Sequence, residues 1–311
     1  MTALTAVAVH VPEHRVPIED LAGEFGLTSM RMKVFRRYHK LGEVRTDPDG
    51  SLLDLLRGAV AGLEALRGRE HLVRYVLYAR SFPVVVPYPF DPVGDLCREF
   101  GLDHANVLAI GQHACASGLL AIDAAGRLLA ADAQAHPDAL ALVLTGEKTF
   151  TGDARMVPET TFFGEGAAAC LVRAGGGPDR LLSYAADLRG EFDQDSPQVA
   201  MAFQQIYPDA LADTITAAVD RAGLKLDDIA LILPHNVNQV TWQHVCRSLE
   251  FPLDRVVLDN VATFGHMFCA DTFVNYETAR RRRLLRSGDR YVMAAAGAGL
   301  GATFSAMVFE H

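Results

Sequence analysis

Strand-like and helix-like runs alternate along all 311 residues, twice in the same order, with no Pro/Gly/Ser-rich linker between the two rounds. Each round reads as a strand, a helix opening, a strand ending in a short loop, a long helix and two closing strands. The strand runs of the first round are Leu4–Val11, Tyr75–Ala79, Asn106–Ile110, Ala139–Leu144 and Ala167–Val172. Those of the second are Leu181–Asp187, Ile229–Leu233, Arg255–Leu258, Arg290–Ala295 and Phe304–Phe309. The period is far too long for a solenoid. The pattern therefore predicts an α/β fold from two pseudo-repeated halves, 1–175 and 176–311. Packed with their sheets side by side, such halves bring the loops after equivalent strands to one cleft, where α/β sheets commonly hold ligands.

A hydrophobic fraction of 50% is enough for a sizeable core and rules out disorder. The net charge of −9 argues against broad binding to nucleic acid. No apolar run approaches the roughly 18 residues of a membrane span, and MTALTAVAVHVPEHR has no basic segment before its short apolar run. A cytoplasmic chain away from membranes is expected. The 5 cysteines form no CxxC pair, so neither a disulfide framework nor a bound metal is favoured.

Cys115 stands out from the other four. It lies in GQHACASG, directly after the apolar strand NVLAI and directly before a helix whose Leu119, Leu120, Ile122, Leu128 and Leu129 share a buried face. At such an elbow the sulfur meets unpaired helical N–H groups, which favour thiolate over thiol in an already nucleophilic side chain. Cys97, Cys170, Cys246 and Cys269 are assigned to packing, although Cys269 lies near a similar setting.

The second half supplies two histidines. In LILPHNVNQ, His235 follows an apolar strand, with Asn236 and Asn238 as orienting groups or helix caps. In NVATFGHMFCAD, His266 occupies the loop taken as the repeat's counterpart of the cysteine loop. The Gly297, Gly299 and Gly301 run in AAAGAGLGATF has no room after it for the helix and acidic residue of a dinucleotide site. Its glycines either let a backbone amide join that of Cys115 in an oxyanion hole, with Gly299 the candidate, or make a tight strand connection.

Together these stretches resemble the β-ketoacyl-acyl-carrier-protein synthase III family of the thiolase superfamily. QHACASG is similar to the family's nucleophile elbow, FFGEGAAACLV to its FGDGAGA segment, PHNVN to HQAN and FGHMFCAD to GNTSAAS. The resemblance implies a five-layered αβαβα thiolase fold, a homodimer and a pantetheine tunnel. Phe163, Gly164, Asn236, Asn238, Gly297 and Gly301 are its tunnel candidates. It implies no permanently bound cofactor: the acyl donor is a phosphopantetheine thioester, on an acyl carrier protein or on coenzyme A. Cys115 then carries the acyl group, and His235 matches the catalytic histidine.

Two departures bear on function. His266 replaces the asparagine of the initiating synthases, which is more similar to the Cys-His-His set of the elongating ones. The amino-terminal TGIxxRR loop is absent, leaving Arg36 and Arg37 to meet a donor phosphate, an acidic carrier or only solvent. The first expectation is condensation of the acyl group with a malonyl-type extender, in fatty acid or polyketide-type biosynthesis. The alternatives are acyl transfer to a hydroxyl or amine, a non-catalytic partner subunit, and slow hydrolysis.

Overall fold

The structure, a computed structural model, describes all residues except 153, 194–195 and 299–300. Among the described residues one large sheet is built from β1 (Thr2–His10), β2 (Val73–Ala79), β3 (Asn106–Ile110), β4 (Leu140–Glu147) and β5 (Gly166–Ala174), followed by β6 (Asp179–Arg189), β7 (Ile229–Pro234), β8 (Arg290–Ala298) and β9 (Ala302–Glu310). Their order is β7-β8-β9-β6-β1-β5-β4-β2-β3.

That order is a duplication read from both edges. In the first half β1, β5 and β4 pair antiparallel, and β2 and β3 continue parallel to β4. In the second half β6, β9 and β8 pair antiparallel, and β7 continues parallel to β8. The expected strand at Arg255–Leu258 would be the counterpart of β3, but it is not a strand. Leu253–Arg255 forms a 3-10 turn, and Val256 makes a single parallel bridge to Ile232. The four-residue run is hemmed by Pro252 on one side and Asp259–Asn260 on the other, so the chain turns away before a ladder can extend. The halves join where Thr2 to Leu4 of β1 pair with Leu181 to Asp179 of β6.

Alternation along the strands decides the layers. In β4, Leu140, Leu142 and Leu144 face one cluster while Ala141 and Val143 face another. A strand buried on both faces requires cover on each. On one side lie α1 (Leu52–Ala61) and α2 (Pro92–Glu99), which bring Leu55, Leu56 and Leu96 against Leu142 and Leu171. On the other lie α3 (Ser117–Asp132) and, from the second half, α6 (Asp271–Arg281). Leu119, Ile122 and Phe273 of this pair touch Val143 of the first half-sheet and Met293 and Phe309 of the second. Beyond the second half-sheet, α4 (Pro197–Arg221) and α5 (Gln239–Leu249) seat Leu211, Ile215 and Trp242 on Ile232, Val292 and Phe304. The two half-sheets thus share an edge yet face each other across α3 and α6, giving the five layers αβαβα. Each fully buried Leu, Ile or Phe contributes about 1.5–3 kcal/mol.

Contrary to the expectation from apolar runs, Ala114–Asp132 is a helix long and apolar enough to cross a membrane by length and composition. It is the central helix of the fold, and its apolar length reflects cover by sheets on both sides.

Candidate active site

Helices α3 and α6 begin in the same way. Each follows a one-turn 3-10 segment, Ala114–Ala116 before α3 and Phe268–Ala270 before α6. Each segment opens on a non-glycine residue with positive φ, Ala114 at 43° and Phe268 at 52°. Such a backbone is held only by its surroundings and is concentrated at functional sites. The counterpart of Cys115 is therefore Cys269, not His266. Cys269 is buried, and its thiol donates to the Ala114 carbonyl at 3.2 Å, bracing the strained residue beside Cys115. Cys97, Cys170, Cys246 and Cys269 are all buried and burial pushes their thiols up, to about 11 for Cys97 and Cys246. Cys115 is half-buried.

Gly297, at the end of β8, packs on this elbow. A Cβ there would lie 2.4 Å from the His113 carbonyl oxygen and 2.9 Å from the Cys115 nitrogen, so only glycine permits the approach. Gly299, the second oxyanion candidate, lies outside the described residues.

A third loop, after β2, reaches the sulfur. Ser81 Oγ donates to Cys115 Sγ at 3.4 Å. The Ser81 and Phe82 amides donate to the carboxylate of Glu147, at 2.8 and 3.0 Å. Burial pushes Glu147 up to about 7 against the pull of those amides. Sequence reasoning missed both residues. The visible signal was an acidic side chain closing the apolar strand LALVLTGE, at the end where α/β sites form.

His266 is placed by backbone pairing with the segment before β5. Its amide donates to the Phe162 carbonyl at 3.0 Å, and the Gly164 amide donates to its carbonyl at 3.0 Å. Phe163 stacks on its ring, centroids 4.9 Å apart, and also on Phe268 at 4.4 Å. A Cβ on Gly164 would meet the Phe264 carbonyl oxygen at 2.0 Å, which explains the glycine. Phe163 and Gly164 therefore position His266 and are absent from the wall of the cavity lined by Tyr207 and Asn238.

His266 Nδ1 contacts Asp271 Oδ2 at 2.5 Å, and Cys115 lies close enough to the imidazole to favour its charged form. Burial alone would lower the imidazole, but Asp271 and Cys115 outweigh it and push His266 up to about 10. Asp271 is fully buried and pinned by the Met267 amide at 2.7 Å and by the Asn236 amide and side chain. Asn275 then ties Asn236 to the Pro234 carbonyl. Asp271 was not foreseen, because FGHMFCAD reads on its face as a helix start.

His235 directly follows β7, with its carbonyl fixed by Trp242 Nε1 at 3.0 Å. Its ring centroid is 5.8 Å from that of His266. Burial and the neighbouring His266 push it down to about 3, so it is neutral. Its Nε2 is occupied by the Tyr207 hydroxyl. Asn238 caps α5, accepting from the Thr241 amide at 2.8 Å, and donates to the Thr160 carbonyl at 3.1 Å.

A cavity of about 710 Å³ opens beside this cluster, and Asn238, Gly301, Thr160, Phe203 and Tyr207 are on its wall. Of the tunnel candidates, Asn238 and Gly301 are on the wall of this cavity, while Asn236 and Gly297 are buried and absent from it. Arg36 and Arg37 stand elsewhere: Arg36 pairs with Glu19 at 2.9 Å beside a separate surface groove.

The profile described as 3-oxoacyl-[acyl-carrier-protein (ACP)] synthase III C terminal matches residues 219–311. The β-ketoacyl-[acyl-carrier-protein] synthase III of Roseiflexus castenholzii is 27% identical over 161 residues, covering 44% of this chain and 48% of that protein. This chain thus spans about half the length of that relative. The synthase III of Paracoccus denitrificans is 26% identical over 293 residues, covering 87% and 86%. Among solved structures, the acyltransferase ChlB3 superposes with a TM-score of 0.83 at 20% identity, over 99% of this chain and 97% of that one. The 3-oxoacyl-[acyl-carrier-protein] synthase III of Aquifex aeolicus VF5 superposes at 0.81 with 18% identity, over 100% of both chains. At these identities the superpositions establish the thiolase fold. The carboxyl-terminal profile and these relatives make the chain similar to β-ketoacyl-[acyl-carrier-protein] synthases III.

Proposed function

We propose that the protein is an acyltransferase that takes an acyl group from a phosphopantetheine thioester onto Cys115 and passes it to a hydroxyl or amine acceptor. The observation that carries this reading is the His266–Asp271 pair held beside Cys115. A buried carboxylate behind an imidazole fixes its tautomer and stabilises its cation, the arrangement that serves nucleophile activation and general base catalysis. In the first step the Cys115 thiolate attacks the thioester carbonyl, and the oxyanion collapses to expel the pantetheine thiolate, which takes a proton from His266. In the second step, now neutral, His266 removes the acceptor's proton as the acceptor attacks the acyl-cysteine, and the Cys115 thiolate leaves beside the imidazolium. The cavity beside Tyr207 suits a slender pantetheine arm.

Decarboxylative condensation with a malonyl thioester is the second reading. It is favoured by the two imidazoles whose centroids stand 5.8 Å apart, a pair of the kind that could hold an enolate. Condensation needs two donors aimed at one carbonyl; the His266 imidazolium can supply one, whereas His235 Nε2 is engaged by Tyr207.

Intact-protein mass spectrometry after mixing with acyl-coenzyme A and with acyl-carrier protein tests the common step. An adduct on the wild type that is missing from Cys115→Ala is expected, and no adduct with either donor rejects both readings. Adding a malonyl thioester to the acyl-enzyme then separates them, since carbon dioxide release with a new carbon–carbon bond selects condensation.

A further inference from the structure

We propose that Tyr207 is a catalytic residue of this site, its phenol being the hydrogen-bond donor that meets the acyl carbonyl, with His235 behind it as a positioning residue. This rests on the acyl-cysteine reading above and is independent of the acceptor used afterwards.

Access to the substrate separates the two side chains. Cys115, His266 and His235 are all absent from the wall of the 710 Å³ cavity, whereas Tyr207, which touches His235, lies on that wall and joins the cavity to the cluster. The Tyr207 hydroxyl is hydrogen-bonded to His235 Nε2. With that atom engaged, the phenol is the polar group beside His235 that reaches the cavity wall.

The other ring nitrogen decides the tautomer. His235 Nδ1 is buried and has no hydrogen-bond partner. The Ala294 carbonyl, which accepts from the His235 backbone amide at 3.0 Å, lies near Nδ1 without meeting hydrogen-bond geometry. A buried N–H without an acceptor is costlier and rarer than an unused lone pair, so the proton is assigned to Nε2. His235 Nε2–H then donates to the Tyr207 oxygen, which leaves the phenol hydrogen free for the substrate. A donor whose own oxygen accepts a hydrogen bond is polarised and strengthened.

The phenol is also fitted to keep its proton. Burial, with the charges of Cys115 and Asp271 nearby, pushes Tyr207 well above the ordinary phenol range. It therefore stabilises an oxyanion by hydrogen bonding, with no proton changing hands. Phe203 meets its ring edge-on at 5.5 Å and Phe304 at 5.9 Å, which fixes the ring direction. Tyr207 sits on α4, one residue before the Pro208 that interrupts the helix.

Tyr207→Phe in the full chain keeps the aromatic packing and removes only the hydroxyl. The readouts are the rate of acyl-adduct formation on Cys115, kcat and KM separately, and the rate of Cys115 alkylation by iodoacetamide, in which no oxyanion forms. Acylation and kcat are expected to fall roughly 100-fold, in the range for deleting one oxyanion donor. KM should stay within about threefold and alkylation should be unchanged. His235→Gln, whose amide can still donate to the phenol, should retain more activity than His235→Ala. Acylation by Tyr207→Phe at the wild-type rate, or faster, overturns the inference, the faster case marking the phenol as a plug. A wild type that forms no acyl adduct overturns the acyl-cysteine reading and this inference with it, whereas normal wild-type acylation with an unchanged variant overturns this inference alone.

Discussion

Asp271 does more for the site than either histidine can do alone, because it decides which imidazole is charged. Two histidine rings 5.8 Å apart in a buried setting cannot both hold a proton cheaply. The one with the carboxylate, His266, is pushed up to about 10, and the one without it, His235, is pushed down to about 3. Replacing Asp271 by Asn removes the counter-charge while leaving an oxygen for Nδ1. Burial then prevails, His266 is neutral at pH 7, and Cys115 loses its cationic neighbour. Cys115 alkylation by iodoacetamide at pH 7 is expected to slow about tenfold, because the positive charge beside the sulfur is lost. The pH dependence of folding should change as well. His266 binds its proton more tightly when folded than at its ordinary value of 6.5, so its stabilisation is complete below that pH and is lost as pH rises toward 10. Chemical denaturation between pH 6 and 9 should show this fall in the wild type, and Asp271→Asn should flatten it.

At the scale of elements, the legible part of the sequence was whatever periodicity or breakers announce. NVLAI was bounded correctly as β3, and the apolar runs of β4, β5, β8 and β9 were all found, because strands buried on both faces are continuous apolar text. RVVL looked the same but stops at one bridge, since strand length is set by the residues flanking the run. Helix rotation was not legible at all. Tyr207 reaches His235 only because of the angle at which α4 crosses β9, and nothing in FQQIYPDAL fixes that angle. The elbow was read correctly as a strand-to-helix turn, yet its strained φ and its brace from Cys269 depend on contacts between halves. Gly297 tests how tightly the elements are set. Gly297→Ala would press a methyl onto the His113 carbonyl and the Cys115 amide, both backbone atoms that cannot swing aside. A loss of about 1–3 kcal/mol in stability is expected by denaturation, the usual cost of overpacking, together with failure of Cys115 to acylate.

For the whole molecule, duplication explains both why the site lies where it does and what surface is left over. Each half alone covers one face of its sheet and leaves the other bare; α3 and α6 fill the space between, so their amino ends, and with them Cys115, His266 and Asp271, converge. The halves end differently, however. In the second half the outermost strand has shrunk to the Val256 bridge, while in the first β3 remains as a full edge strand with Val107 48% and Leu108 39% exposed. Edge strands of soluble proteins are usually blunted by charge, proline or a bulge, and NVLAI has none of these. The nearby loop after β2 adds exposed Tyr88 and Phe90, extending the apolar surface around the same side of the sheet. A second copy pairing along β3 satisfies both the open backbone groups and the apolar side chains, so a homodimer is expected. Light scattering after size exclusion should give twice the 33.7 kDa chain mass. Val107→Lys with Leu108→Lys puts like charges on both sides of the pairing edge and should yield monomers, whereas a wild type that is monomeric at tens of micromolar would show that the edge is left open.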